Sequence, residues 1–483
     1  MECLRWGILG LGVPNGRKIA VAMERSRNSV LLAVAGAEVA EWCDEEELEA
    51  VTQYTTYEEL LCDPRVDAVY VGVCTRLRSA WCVRAAESGK HLLVEKPLAR
   101  SAREAFEIVK ACEEQGVLLM DVTAFVHHER SRNMVSALRD ERHFGGPPTR
   151  CEASHSFAAT RDFQQGTMDS VNNDDPLGVV GDLGWYCAKW GLLAFGADAT
   201  PVSAQAKAVW WGMLSADDDG LDAVDVLEEC PPIELTGTVD FGAHQTFQIH
   251  CSYNHAFRQR IEVSGYDTKL LTCDDFLYPT KIPGATFDVC TFASPPLRDL
   301  DSLVLKTAQT YVSHSTKDQT TSMIDAFADL VLNTTDSRRK KKQRFHAWAR
   351  GALVTQVIVN ALLESAKRDG RSVKAQMPSY PLVLENDDDD ELIVPSQKTS
   401  RSQQKAAGGG SAKNNKKKKK TLNIKRKTTT TPREHHFSSS DGNASAGNDR
   451  VVVGQGPQRS SARIKKRARS DNNKLHSDFL EYS

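Results

Sequence analysis

The segment GILGLGVPNGRK, residues 7–18, joins an apolar run to a helix-like one and spaces its glycines for anion chemistry. Gly10 and Gly12 read G-x-G, and Gly16 makes the pattern GxGxxxG, one residue longer than the usual dinucleotide fingerprint. Gly10 permits a tight turn, and Gly12 lets the backbone approach a pyrophosphate. Leu11 and Val13 complete the loop, and the helix that follows offers its free N–H groups to the phosphates. The next apolar run ends in AVAGAEVAEW, which puts Glu38 where an acidic side chain meets ribose hydroxyls. No Arg or Lys stands nearby to receive a 2′-phosphate, so NAD is expected over NADP. A third feature is HLLVEKPLA, residues 91–99, a short apolar strand that stops on two opposite charges and a proline, Glu95-Lys96-Pro97. At the carboxyl edge of a parallel sheet, where ligands bind, such a pair is a candidate for ligand contact.

The elements that must position these residues follow from hydrophobic pattern and caps. LRWGILG, VLLAVAG, VDAVYVGV, HLLVE and VLLMDV are five apolar strand candidates. Helix-like runs separate them: one from about Arg17, one with the capping box Thr56/Glu59, one at about 79–88, and one capped by Ser101 with Glu104 and stopped by Gly116. Repeated βα units with apolar strands predict a doubly wound, Rossmann-type parallel sheet over residues 1–125. From about Thr149 the pattern changes to period two in IELTGTVDFG, HQTFQIHCSY, RQRIEVSGYD and KLLTCDDFLYP. Helices at about 183–193 and 319–332 bracket these strands, and a long final helix covers about 345–369. The expectation for 126–380 is an α+β domain with an open, mainly antiparallel sheet, its final helix packing back on the first domain. RRKKKQR, residues 338–344, is expected to be a solvated loop.

The chain has 483 residues and a formal net charge of -3. From Ser396 onward 21 Lys/Arg face 6 Asp/Glu, so a tail of +15 leaves −18 for the rest. The tail, residues 381–483, runs from ENDDDDE through KKKKKTLNIKRK to RIKKRARS, and its composition predicts disorder. Its basic patches fit an importin or a polyanion, and lack the interleaved aromatics that would stack bases. No run of about 20 apolar residues predicts a membrane span, and no signal-peptide pattern opens the chain. The 12 cysteines form no CxxC pair and no zinc-ligand spacing, so free thiols and no metal site are expected. A cytoplasmic protein is expected, nuclear if the tail acts as an import signal.

RWGILG, YEELLCDPRVDAVYV, SGKHLLVEKPLA and GDLGWYC together resemble the glucose-fructose oxidoreductase/inositol dehydrogenase (Gfo/Idh/MocA) family, in its dihydrodiol and xylose dehydrogenase-like branch. The resemblance covers residues 4–373. It implies that Glu95 and Lys96 sit beside a nicotinamide, and that Pro97 turns the chain, often through a cis bond. It implies that Asp182 and Tyr186, from the motif D-x-G-x-[H/Y], face the same cleft, with Tyr186 as proton donor or acceptor. Lys96 would lie opposite Tyr186 and bring its pKa toward neutrality. His128, in FVHHE, and Asp182 would position substrate. The loop Val73-Cys74-Thr75-Arg76-Leu77-Arg78 would meet nicotinamide and ribose through Val73 and Cys74. It departs from the family's T-P-N-x-x-H, with Arg78 where the histidine stands, and Asp121 replaces a glutamate at the end of the fifth strand.

The activity implied is hydride transfer between NAD(P) and a hydroxyl carbon of a sugar, cyclic polyol or related diol, in a homo-oligomer. The alternative is a dinucleotide-binding regulator with the same fold and no catalysis. Retention of Lys96, Asp182 and Tyr186 favours the enzyme, because a regulator has no need of a proton-transfer pair.

Overall fold

The computed structural model describes residues 2–10, 14–36, 51–140, 144–164, 176–211, 231–265, 268–279, 284–292, 305–315 and 317–378. Leu11, Gly12, Val13, Glu38 and the acidic and basic tail lie outside the described residues. Among those described, no helix is long and apolar enough to cross a membrane.

The first part alternates β1 (Leu4–Leu9), α1 (Pro14–Arg25), β2 (Ser29–Ala35), β3 (Thr52–Tyr54), α2 (Tyr57–Cys62), β4 (Ala68–Val71), α3 (Thr75–Glu87), β5 (His91–Val94), α4 (Ala102–Gln115) and β6 (Leu119–Asp121). The six strands form one parallel sheet in the order β3-β2-β1-β4-β5-β6. The strands are apolar because helices cover both faces: every residue of β4 is buried, and so are Leu92, Leu93 and Val94. The sequence suggested five strands. The additional one, β3, is a three-residue edge strand, Thr-Gln-Tyr, with no apolar run to announce it. Thr56 and Glu59 close their capping box, and Ser101 caps α4. Glu104 reaches one residue further back than expected, accepting from the Arg100 N–H. Gly116 ends α4 in the left-handed region.

Two short helical segments follow β6: a 3-10 turn (Ala124–His127) and α5 (Glu129–Arg139). The second sheet has nine strands in the order β14-β13-β12-β11-β7-β10-β9-β8-β15. They are β7 (Arg150–Ala158), β8 (Ser203–Trp210), β9 (Pro232–Asp240), β10 (Thr246–Ser252), β11 (Asn254–Ser264), β12 (Lys269–Cys273), β13 (Ala285–Phe292), β14 (Leu305–Ser313) and β15 (Val373–Lys374). The ladders are antiparallel except β7 with β10, which run parallel. Along β10, Phe247, Ile249 and Cys251 are buried, while Gln248 and His250 point to the polar face. Between β7 and β8, a π-helical turn (Val180–Gly184) runs into α6 (Trp185–Phe195).

The last helices, α7 (Gln319–Leu332) and α8 (Arg338–Lys367), cover the first sheet. Asp325 of α7 accepts from Ser26 Oγ at 2.7 Å and from Arg27 N at 3.1 Å, and Phe327 packs on Trp6 with ring centroids 4.7 Å apart. Met323, Ile324, Phe327, Ala328 and Phe345 share a core with Leu4, Trp6, Ile8, Tyr70, Leu93 and Met120. Helix α8 bonds to both sheets' surroundings. Gln356 Oε1 accepts from Ala99 N at 3.0 Å, and Ser365 Oγ accepts from Ala206 N of β8 at 2.9 Å. The expected loop at 338–344 is instead the start of α8. Its Arg, Lys and Gln are good helix formers, and Ser337 caps it by accepting from Lys340 N. Asp336 offsets the basic first turns by pairing with Lys340 and Arg344 at 3.0 and 2.8 Å.

Candidate active site

Strand order reverses between β1 and β4, so their carboxyl ends open the crevice where doubly wound sheets bind ligands. Gly10 ends β1 with φ 83°, and a Cβ there would stand 3.0 Å from Val73 N and 3.1 Å from Val73 Cγ1. Only glycine allows this closeness of the two strand ends. Helix α3 starts just after Val73, and its N-cap, Cys74, makes no side-chain cap. The turn conformation of Gly10 and its approach to Val73 fit the pyrophosphate and ribose of a dinucleotide. Arg78 holds this loop in place. Its buried guanidinium donates to Val73 O at 3.2 and 2.9 Å and also to Pro97 O. The residue that departs from the family pattern thus ties the loop after β4 to the EKP turn.

Glu95 N continues the β5 ladder by donating to Val71 O at 3.1 Å, which fixes the turn at the sheet's carboxyl edge. The Glu95 carboxylate is buried, accepting from Tyr70 OH at 2.8 Å and Lys96 N at 3.2 Å. Burial raises its pKa, against the pull of Lys96 and Arg78. The Lys96–Pro97 bond is cis. Lys96 Nζ reaches over to the second sheet's helix, where it pairs with the Asp182 carboxylate and donates to Asp182 O at 3.3 Å. The same ammonium lies 5.0 Å from the centroid of the Tyr186 ring. Tyr253 OH donates to Asp182 Oδ2 at 2.9 Å, so the carboxylate is gripped from two sides.

The turn bearing Asp182 is π-helical, a device frequent at functional sites. Gly181 lets it approach the EKP turn: a Cβ there would lie 2.7 Å from Leu177 Cβ and 3.2 Å from Pro97 Cγ. Helix α6 is anchored to β6 by a buried ion pair, Lys189 Nζ to Asp121 Oδ1 at 2.9 Å. The other Asp121 oxygen accepts from Thr123 Oγ1 and, at 3.2 Å, from Trp185 Nε1.

Burial lowers and Asp182 raises the Lys96 pKa, and the net shift is upward, so the ammonium stays charged. Burial would raise Asp182, but Lys96 and Tyr253 hold it below the usual carboxylate range. The phenol of Tyr186 goes the other way from the sequence-based expectation. Burial pushes it well above the tyrosine range, and Lys96 opposes this only in part because Asp182 already neutralises that charge. Tyr186 is therefore a protonated donor in this state.

His128 is placed elsewhere in the cleft. Its Nδ1 accepts from Arg130 N at 3.0 Å as the cap of α5, and its side chain lines a groove of about 370 Å³ with Lys18, Arg25, Tyr278 and Asp318. The imidazole near Tyr186 is His155 of β7, ring centroids 6.0 Å apart. Burial pushes His155 down to about 4, so it is neutral, and its buried Nδ1 has no hydrogen-bond partner. Half-buried Tyr278 lines a smaller cavity with Tyr186, Lys18 and Gln319. Spacing could not find His155, Tyr253 or Tyr278. They meet Asp182 and Tyr186 only through sheet register, in which β7 lies between β10 and β11.

Residues 4–122 match the family described as "Oxidoreductase family, NAD-binding Rossmann fold". A D-xylose 1-dehydrogenase (NADP(+)) from Haloferax volcanii is 32% identical over 268 residues, 55% of this chain and 75% of that protein. A trans-1,2-dihydrobenzene-1,2-diol dehydrogenase from Xenopus laevis is 25% identical over 214 residues, 42% of this chain and 60% of that protein. Among solved structures, a 3-ketoreductase from Actinomadura kijaniata in complex with NADP and TDP-benzene superposes with TM-score 0.58 at 22% identity, covering 76% of this chain and 98% of that one. An aldose-aldose oxidoreductase from Caulobacter crescentus gives TM-score 0.59 at 20% identity over 77% of this chain and 100% of that one. These two share the fold. The glycine turn at the β1/β4 crevice, the EKP turn facing a D-x-G-x-Y helix, and the long match to the Haloferax enzyme together make this chain a member of the Gfo/Idh/MocA family of NAD(P)-dependent oxidoreductases.

Proposed function

We propose that the chain transfers a hydride between a nicotinamide and a carbinol carbon of a sugar, cyclic polyol or related diol, with NAD(H) the preferred cofactor. The observation that carries this reading is the Lys96 ammonium, gripped by Asp182 and set 5.0 Å from the Tyr186 ring at the carboxyl edge of the first sheet. When bound, the nicotinamide supplies or accepts the hydride at C4. In the reducing direction the protonated Tyr186 hydroxyl gives its proton to the substrate oxygen, so a carbonyl takes up one hydride and one proton to become the alcohol. Lys96 draws electron density onto that oxygen, and Asp182 fixes Lys96. Neutral His155 offers its unpartnered nitrogen to a neighbouring hydroxyl. Gly10, Val73 and Cys74 line the cofactor side, with Leu11, Gly12 and Val13 in the loop between β1 and α1. The preference for NAD rests on Glu38 shortly after β2, with no basic residue beside it in the sequence. The sugar and diol dehydrogenases among its relatives support the substrate class.

The test is a titration of purified protein with NAD(H) and NADP(H), followed by nicotinamide fluorescence. A screen of pentoses, hexoses, inositols and cyclic diols by nicotinamide absorbance comes next. Tyr186→Phe and Lys96→Ala are expected to lose about 10²–10⁴ in kcat/KM while retaining cofactor binding. Binding of neither dinucleotide would refute the enzyme. Turnover untouched by both substitutions would refute the site.

A further inference from the structure

The polar face of the second sheet, on the side away from Asp182, carries three side chains of different strands at metal-ligand distance. Glu234 comes from β9, His250 from β10 and His255 from β11. On β10, Ile249 and Cys251 face the π-helical turn, both within 4 Å of where a Gly184 Cβ would be. Alternation then turns His250 and Ser252 to the opposite face, where Ser252 is directly paired with Glu234. This cluster is therefore separate from the Lys96–Asp182–Tyr186 site.

His250 Nε2 lies 3.6 Å from Glu234 Oε1, and His255 Nε2 lies 3.1 Å from Glu234 Oε2. The three ligand atoms all fall within 4.8 Å of one another. A tetrahedral ion with bonds of about 2.1 Å to nitrogen and oxygen sets its ligands about 3.4 Å apart, close to the distance of each imidazole nitrogen from its nearer carboxylate oxygen. The carboxylate is also oriented. Fully buried Ser252 donates from Oγ to Glu234 Oε2 at 3.1 Å, and its Oγ accepts from Asn254 N at 2.9 Å. Such an outer partner is what a metal-binding carboxylate needs to hold its direction. His255 is 55% exposed, giving an ion an entry path, while Glu234 and His250 form a half-buried floor at 20% and 28%.

We propose that Glu234, His250 and His255 bind a divalent transition-metal ion of the zinc class, with one coordination position left to water. Two imidazoles and one carboxylate suit zinc, cobalt, nickel or copper, and disfavour magnesium and calcium, which take all-oxygen shells. Sequence spacing hides the site, because Glu234 is paired to β10 by sheet register.

The test uses untagged full-length protein stripped with a chelator and titrated with Co²⁺ as a spectroscopic probe, then with Zn²⁺ in competition. The expected result is one equivalent with tetrahedral d–d absorption and no thiolate charge-transfer band, displaced by Zn²⁺ but not by Mg²⁺. His255→Gln and Glu234→Gln should each weaken that equivalent about 100-fold or more, and Ser252→Ala about 10–100-fold. Circular dichroism of the stripped variants, matching the stripped parent, shows that the fold is kept. A thiolate band would assign the ion to the cysteines. Binding unchanged in both His255→Gln and Glu234→Gln would assign it to other groups such as the tail histidines. Either result, or no binding at all, overturns the proposal.

Discussion

Lys189→Met removes the ammonium from an ion pair whose side chains are 7% and 1% exposed, leaving Asp121 buried with only Thr123 and Trp185 as donors. Breaking a buried pair by deleting one partner costs about 3–5 kcal/mol, mostly the penalty of the stranded charge. The carboxyl can escape that penalty by taking a proton. At pH 7, protonating an acid of ordinary pKa ~3.9 costs about 4 kcal/mol, which caps the loss; at pH 5 the cap is about 1.5 kcal/mol. Lys189→Met should therefore destabilise by about 3–4 kcal/mol at pH 7 and by roughly half that or less at pH 5, relative to the parent at the same pH. Asp121→Asn added to Lys189→Met should restore most of the loss. Because Trp185 shares the same carboxylate and precedes Tyr186, kcat should also fall in the single variant. Urea unfolding followed by tryptophan fluorescence at the two pH values measures the parent, both single variants and the double variant. A loss below about 1 kcal/mol at pH 7, or a double variant as unstable as the sum of the two singles, would refute the assignment of Asp121 as a charged, Lys189-dependent anchor.

Acid should destabilise the fold in a defined window. Burial pushes His91, His127 and His155 down to about 4, below the ~6.5 of an unfolded chain, so the folded state binds fewer protons. Stability is full above about pH 6.5 and falls as pH drops toward 4, by up to about 3 kcal/mol for each imidazole. His91 Nδ1 accepts from Leu118 N at 2.9 Å, so His91→Asn, which keeps an acceptor, should flatten Tm against pH; an unchanged slope would count against this origin. Gly10→Ala puts a Cβ 3.0 Å from Val73 N at a positive φ, and should weaken dinucleotide binding at least about tenfold, with strain of about 1–2 kcal/mol. Fluorescence titration giving the parent's Kd would remove Gly10 from the cofactor site.

The first sheet was legible because apolar strands, capping residues and glycine stops are local signals. Thr56, Ser101 and Gly116 act as their types predict, whereas the pairing of Lys96 with Asp182 is a contact between two distant segments that no local pattern announces. The second sheet was legible in class but less so in detail, because the β7–β10 pairing joins strands nearly a hundred residues apart. The basic run at 338–344 reads as a solvated loop between two helices, but Ser337 caps it and Asp336 offsets its charge, so it opens α8 instead. The protonation state of Tyr186 could not come from sequence, since it depends on how deeply the ring is buried and on Asp182 claiming the Lys96 charge. His155 shows the same limit: its ring comes within 6.0 Å of Tyr186 through strand register, which no local pattern reveals.

The core shared by β1, β4, β5 and β6 with α7 and α8 has a consequence for synthesis. All six strands of the first sheet have left the ribosome's decoding centre by residue 121, yet Met323, Ile324, Phe327 and Phe345 are made more than two hundred residues later. At 5–20 residues per second, the completed strands wait about 10–45 s after Met120 for these partners during translation. The nascent amino-terminal sheet thus passes through an interval with one apolar face covered only in part, by Ile19, Ala20 and Met23 of α1. A chaperone binding that interval, or a pause near residue 345, would govern yield of the protein, and a fragment ending at residue 125 would carry the same part-covered face permanently.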